Sequence, residues 1–290
     1  MLAAVAIIWG SSFLLIDIGL RAFSPGLVAL FRVGFGALAL AVVPRARRPV
    51  QREDLPRIAL LGVTWMGIPL ILFPVAQQWI DSSVAGMLNA ALPLTSAVWA
   101  AALLRRWPER RQVVGLTLGF SGIVLISLPE LPTDAIASEG SAATLLGVSL
   151  VILAVVLYGL STNLAVPLQQ RYGALPVLLR AQLAAMIVIV PFGLATLEGS
   201  TWSWTSFAAM VPLGTLGTGL AFVLMTTLVG RVGGPRGTIA TYFTPIVAIA
   251  LGVGLNGEPL HLLAAIGSVL VVGGAWIASR RQLAPAASRR

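Results

Sequence analysis

The chain has 290 residues, 58% of them hydrophobic and 10% charged, with a mean hydropathy of +0.94. No water-soluble fold hides that much apolar surface, so an all-α membrane protein is expected. The formal net charge of +9 comes from 19 Arg and no Lys, most of them in short loops between apolar runs, which reads as membrane topology and excludes a nucleic-acid footprint. With no Cys and one His, disulfides, thiolate metal sites, Cys nucleophiles and multi-histidine metal centres are excluded.

A bilayer core of about 30 Å needs about 20 apolar residues per helix. Turn and charge clusters then place ten transmembrane helices near 2–20, 26–44, 57–79, 83–104, 111–128, 143–166, 174–197, 205–229, 236–256 and 261–279. No basic run precedes Leu2 and no clear cleavage site follows, so the first apolar run is expected to be a retained helix. The longest loop, 129–142, divides a first five-helix repeat (1–128) from a second (143–279), and a basic tail occupies 280–290. One set of loops, together with the tail, carries sixteen Arg, among them Arg45, Arg57, Arg106 and Arg171, whereas the opposite set carries only Arg21. Both termini are therefore expected in the cytoplasm.

Aligning the halves at an offset of 152 pairs Gly62 with Gly214, Gly67 with Gly219, Pro93 with Pro245, Gly115 with Gly267 and Gly122 with Gly274. Because each half has an odd number of helices, the second begins on the opposite side of the membrane. The expected architecture is a 5+5 inverted-topology repeat, a plan used by many secondary transporters.

Several motifs resemble a known family. Trp9-Gly10-Ser11-Ser12-Phe13 looks like the WG-x-x-F signature of the drug/metabolite transporter superfamily, in its EamA-type ten-helix branch. Ser24-Pro25 with Phe31-Arg32, Ala91-Leu92-Pro93-Leu94 leading to Gly115, and Thr244-Pro245 followed by Gly257-Glu258-Pro259-Leu260 and Gly267 extend the resemblance over nearly the whole chain. The family usually ends both repeat-equivalent helices in Glu. Here Glu258 stands in the second half and Arg106 in the first, so the two positions do not share an acid. The resemblance implies a central cavity handling amino acids, metabolites, nucleotide-sugar-like compounds or drugs, in a bacterial inner membrane, and more often in export.

Residues that could carry transport are the deep polar and aromatic ones. Trp79, Trp107, Trp202, Trp204 and Trp276 fall near helix ends, where an indole anchors at the headgroups, whereas Trp9, Trp65 and Trp99 lie deeper and need a protein or cavity partner. Gln77, Asn89, Tyr158, Thr162 and Tyr242 are polar at depth, and such groups face the bundle interior or a wet cavity. With Phe13 of the signature these form the candidate substrate-binding set: Trp9, Phe13, Trp65, Gln77, Asn89, Trp99, Tyr158, Thr162 and Tyr242. Pro93 and Pro245 are candidate hinges, or simple kinks required for packing. Arg180 is expected to snorkel. Arg32, seven residues past Pro25 and about 10 Å deep, either ties a structural carbonyl network, the favoured reading, or attracts an anionic substrate group. Asp17 and His261 read as solvated.

The expected function is a secondary transporter, an exporter of a small organic solute working by alternating access. The alternative is a lipid or lipid-linked flippase or scramblase, which a groove open sideways to lipid would reveal. No phosphate-binding G-x-x-x-x-G-K-[ST] is present, and Asp54, Asp81 and Asp134 lie in loops, so neither ATP use nor intramembrane aspartyl proteolysis is supported and no enzyme is expected. No cofactor or metal is expected. The expected partners are a small-molecule substrate and the lipid bilayer, with a homodimer left open.

Overall fold

The computed structural model describes residues 1–105, 110–130 and 139–279. Arg106, Trp107, Asp134 and the tail 280–290 lie outside them, as does the comparison of Arg106 with Glu258. Among the described residues the structure is helical throughout, with no strand. In chain order the rods are α1 (Leu2–Leu20), α2 (Pro25–Ala41), α3 (Arg52–Ala76), α4 (Ser82–Leu103), α5 (Arg110–Ser127), α6 (Glu139–Tyr172), α7 (Ala174–Ala195), α8 (Trp204–Val232), α9 (Ala240–Asn256) and α10 (Leu262–Ser279). Six of them, α1, α3, α4, α6, α7 and α8, are long and apolar enough to cross a membrane, and α2, α5, α9 and α10 contain shorter apolar helices. In lipid only a helix satisfies its own backbone, which is why so apolar a sequence becomes a bundle.

Local signals set the ends. Ser24 caps α2 by accepting from the Leu27 amide, with Pro25 in the first turn where no donor is needed. Ser203 caps α8 in the same way through the Ser206 amide. Gly173 and Gly233 turn the chain after α6 and α8 at φ of 78° and 86°, a region only glycine enters without strain. Trp79, Trp202, Trp204 and Trp276 stand exposed near helix ends.

Three features depart from the uniform helices expected. First, α4 is two segments, Ser82–Asn89 and Leu92–Leu103, with Pro93 in the first turn of the second. In α9 a 3-10 stretch, Thr238–Phe243, is likewise followed by a helix from Thr244 to Asn256 with Pro245 in its first turn. The prolines thus open new segments instead of bending continuous ones, because Pro at N1 costs nothing whereas inside a helix it removes a bond. Second, α3 and α8 each contain a π segment, Val63–Gly67 and Leu213–Leu220. Shifted by 152, the first falls within the second. Third, α6 runs from Glu139 to Tyr172, past Pro167 and well beyond the expected end at 166, which carries Arg171 and Tyr172 to an interhelical ion pair.

Glycines set the closest approaches. A Cβ on Gly62 would lie 2.2 Å from the Ala181 carbonyl oxygen, bringing α3 onto α7, and one on Gly214 would lie 2.8 Å from the Arg32 carbonyl oxygen, bringing α8 onto α2. Added Cβ atoms on Gly122 and Gly267 would each stand 2.6 Å from the other's carbonyl oxygen, and one on Gly274 would meet the Gly115 carbonyl oxygen at 2.5 Å. With 115 facing 274 and 122 facing 267, α5 and α10 run antiparallel along a glycine seam.

Candidate functional site

At the centre of the bundle is a small cavity lined by Trp9, Ser12 and Phe13 from α1, Arg32 from α2, Phe73 from α3, Asn89 from α4 and Tyr158 from α6. Each of these side chains occupies a buried position. The walls are mostly aromatic. Trp9 stacks on Tyr158 with centroids 6.4 Å apart, Phe13 meets Phe73 edge-on at 5.5 Å, and Phe73 meets Tyr158 at 5.8 Å. Phe222 of α8 backs this wall, touching Trp9 at 5.2 Å, Trp65 at 5.3 Å and Tyr158 at 6.3 Å. In this conformation the cavity has room for about one water molecule, so anything larger enters only when the surrounding helices part.

The π segment of α8 supplies polar anchors to this wall. The Trp9 indole donates to the Gly217 carbonyl at 3.1 Å, and the Gln182 amide donates to the Thr218 carbonyl at 2.9 Å. A π segment distorts the helical ladder and turns carbonyls toward side chains, a reason such bulges concentrate at functional sites. Arg32 donates through Nε to the Thr218 hydroxyl at 3.0 Å. It makes no ion pair and no bond to a backbone carbonyl among the described residues, so the carbonyl network favoured from the sequence does not form. Asn89 keeps its buried Oδ1 unpartnered.

The other residues singled out in the sequence lie elsewhere. Trp65 is fully buried in the aromatic cluster, one ring removed from the cavity, its Nε1 unpartnered. Trp99 donates to the Val156 carbonyl at 3.0 Å and Thr162 bonds Ser96 at 3.0 Å, both in the α4–α6 seam, where Gly159 allows close approach. Gln77 lines a separate, wider opening at one end of the bundle. Tyr242 is buried in the 3-10 stretch at the start of α9. Phe73, Phe222, Ser12 and Thr218 were not marked by the sequence, because Phe or Ser in an apolar span carries no sign of which way it faces.

The two ends of the bundle are closed by different chemistry. At one end Asp54 accepts from Arg171 at 2.6 Å and from the Tyr172 hydroxyl at 2.6 Å, with Arg57 at 3.5 Å, tying the start of α3 to the end of α6. Arg180 is held nearby by the Pro176 carbonyl at 3.1 Å and the Ala46 carbonyl at 3.4 Å. At the other end Arg21 pairs with Asp17 at 3.0 Å and also bonds Asn256, whose amide donates to Glu258 at 3.0 Å. The wider opening begins here, lined by Asp17, Arg21, Gln77, Gln78 and Glu198 among others.

Glu258 receives the Ser83 amide at 2.9 Å and the Ser82 amide at 3.2 Å, together with the Ser82 hydroxyl, so it caps α4 from across the bundle. Burial opposes its charge, but the hydrogen bonds from Ser82, Ser83 and Asn256 outweigh that and hold the carboxyl below its ordinary range. Burial, then the negative Glu258, pushes the neighbouring Asp81 carboxyl up. A lowered carboxyl contributes stability that is present above its unfolded-state pKa and is lost as pH falls through its folded one. Thermal stability in detergent is thus expected to fall on acidification below the ordinary carboxylate range. Glu258→Ala should cost about 1–3 kcal/mol at neutral pH by leaving both amides uncapped, and Glu258→Gln should flatten the acid dependence. An equal acid slope in wild type and Glu258→Gln would remove Glu258 from this role.

Comparison with known proteins agrees with this architecture. The chain matches the EamA-like transporter family over residues 1–128 and 145–280. It is 28% identical to a probable terminal-alkyne amino-acid exporter of Streptantibioticus cattleyicolor, over 97% of this chain and 93% of that protein. It is 24% identical to an uncharacterized transporter of Archaeoglobus fulgidus, over 97% and 98% of the two chains. With the uncharacterized inner membrane transporter YedA of Escherichia coli K12 it shares 28% identity over 89% of this chain and 83% of the other. A solved crystal structure covers 95% of this chain and 93% of its own with a TM-score of 0.63 at 18% identity, a likeness of fold. A helical bundle of apolar spans enclosing a buried aromatic cavity, matched by this family across both halves, is an integral multi-pass membrane protein, and the chain belongs to the EamA-like transporter family.

Proposed function

We propose that the protein exports a small organic metabolite, amino acid or drug across a bacterial inner membrane by alternating access, its ten spans forming a 5+5 inverted-topology repeat with both termini cytoplasmic. The observation that carries this reading is the central cavity, collapsed to about one water and bordered by paired irregularities. Pro93 and Pro245 open segments at the same place in each half, and the π segments of α3 and α8 correspond. The glycine contacts obey the same relation. Gly62 brings α3 onto α7 and Gly214 brings α8 onto α2, while the α5–α10 seam maps onto itself when the halves are exchanged. Such a pair of half-bundles can swap conformations and expose one site to each side in turn. The arginine asymmetry supports the orientation. Enclosure of the cavity by buried side chains favours a solute route through the centre over a lipid groove at the side. The likeness to the probable terminal-alkyne amino-acid exporter of Streptantibioticus supports export and an amino-acid-like solute.

The test is transport of a solute panel in inside-out vesicles, with and without a pH gradient, for wild type, Pro93→Ala and Pro245→Ala. Each Ala restores an amide donor at a segment start and favours a continuous helix. Transport is expected to slow about tenfold, roughly 1.4 kcal/mol on the barrier, with melting temperature near wild type. Activity lost only in proportion to folded protein would reduce the prolines to packing elements, and absence of movement for every solute would remove the export reading.

A further inference from the structure

Arg32 is the eighth residue of the 17-residue α2, midway along it, and only 4% of its surface is exposed. A guanidinium carries five N–H donors, and here one hydrogen bond, from Nε to the Thr218 hydroxyl, is the only one among the described residues. No carboxylate among the described residues pairs with it. A buried charge with neither counter-ion nor full hydrogen bonding is costly in a protein interior and more so in a bilayer. Arg180 of α7, by contrast, donates to two backbone carbonyls, so the chain does satisfy a guanidinium structurally where that is its use. Arg32 instead borders the central cavity with Asn89, whose Oδ1 is unpartnered, and Trp9, Ser12, Phe13, Phe73 and Tyr158 form the rest of the wall.

We propose that Arg32 is the anchor for a carboxylate, so that this cavity selects small carboxylate-bearing solutes with an apolar body. The inference rests on the reading of the cavity as the transport site. A planar fork of N–H donors matches a carboxylate in a bidentate geometry, and one positive charge balances one carboxylate. The aromatic wall takes the apolar body, and the open Oδ1 of Asn89 accepts from an ammonium group. Two sources share this chemistry, an α-amino acid and a simple monocarboxylate. Asn89 separates them.

The test measures binding to purified full-length protein, by isothermal titration, for L-leucine, L-leucinamide and isocaproate. Wild type, Arg32→Gln, Arg32→Lys, Asn89→Ala and Phe13→Ala are compared. In wild type, leucine is expected to bind at least tenfold tighter than leucinamide, which lacks the carboxylate. Arg32→Gln should abolish that preference by weakening leucine alone, and Arg32→Lys, with a charge but no fork, should fall between. If leucine also loses affinity in Asn89→Ala while isocaproate does not, the solute is an amino acid; the reverse order, isocaproate tighter than leucine in wild type, assigns a monocarboxylate. A wild-type preference below twofold between leucine and leucinamide, with isocaproate binding no tighter than either, overturns the anchor whether or not the Arg32 variants fold. So does an unchanged preference in a folded Arg32→Gln protein. If Phe13→Ala still weakens binding in either of those cases, the cavity remains the transport site and only the anchor falls. If neither Arg32 nor Phe13 variants change binding, the cavity reading falls as well. Failure of both carboxylates to bind, while vesicles transport another solute, overturns the carboxylate class and leaves export standing.

Discussion

Gly62→Ala is expected to leave little folded protein. The added methyl group would stand 2.2 Å from the Ala181 carbonyl oxygen and 3.0 Å from its Cα, both backbone atoms of α7 that no rotamer change can move. Overpacking of a core typically costs about 1–3 kcal/mol, and a clash between two backbones belongs at the top of that range or above it. Gly122→Ala should behave alike, because its Cβ would meet the Gly267 carbonyl oxygen at 2.6 Å and the Val271 amide at 2.7 Å. Gly254→Ala is the control: nothing lies within 4 Å of its added Cβ, and Ala favours the helix by about 1 kcal/mol. Melting in detergent followed by size-exclusion fluorescence gives the answer. A Gly62→Ala protein as stable as Gly254→Ala would mean that the helices separate easily and that the glycines do not fix their spacing.

Phe222→Ala is expected to lose both stability and transport. The ring is fully buried and touches Trp9, Trp65 and Tyr158, drawing α1, α3 and α6 onto α8. Phe→Ala in a packed core costs about 3–5 kcal/mol, and aromatic pairs add about 0.5–1.5 kcal/mol each beyond burial. Phe222→Leu keeps most of the volume and should recover most of the stability. The decisive quantity is transport per folded molecule. It should fall more than tenfold in Phe222→Ala, because Trp9 and Tyr158 lose the surface that holds them at the cavity. If it stays at the wild-type value, the cluster serves packing alone.

How much of this was legible in the sequence follows from what each residue type reveals. Trp9, Asn89 and Tyr158 stand out because an indole N–H, an amide or a phenol in an apolar span must find a partner, and all three border the cavity. Phe73 and Phe222 were invisible because phenylalanine is equally at home against lipid and inside a bundle. Trp99 and Thr162 met the same criterion as Trp9, yet backbone and hydroxyl groups across the α4–α6 seam satisfy them. Arg32 was expected to tie a carbonyl network and bonds the Thr218 hydroxyl instead, since depth alone does not say whether carbonyls will be within reach. The proline pair was legible as a correspondence, but the helix start at each proline was not, because a proline inside an apolar span reads equally well as a kink in one continuous helix. The π segments and the extension of α6 past Pro167 depend on packing between helices, to which hydropathy along one chain is blind.

If Arg32 anchors the cargo as proposed, the charge of that cargo decides how the membrane voltage acts on transport. A full elementary charge crossing 100 mV exchanges about 2.3 kcal/mol with the field. Arg32 belongs to α2, and a rocking of half-bundles about a fixed site would leave a charge at that site doing little electrical work of its own. The voltage sensitivity of turnover is then governed by the cargo. An amino acid that reaches Arg32 as a zwitterion crosses with almost no electrical work, whereas a simple carboxylate carries its negative charge through the field and is driven outward by an inside-negative potential.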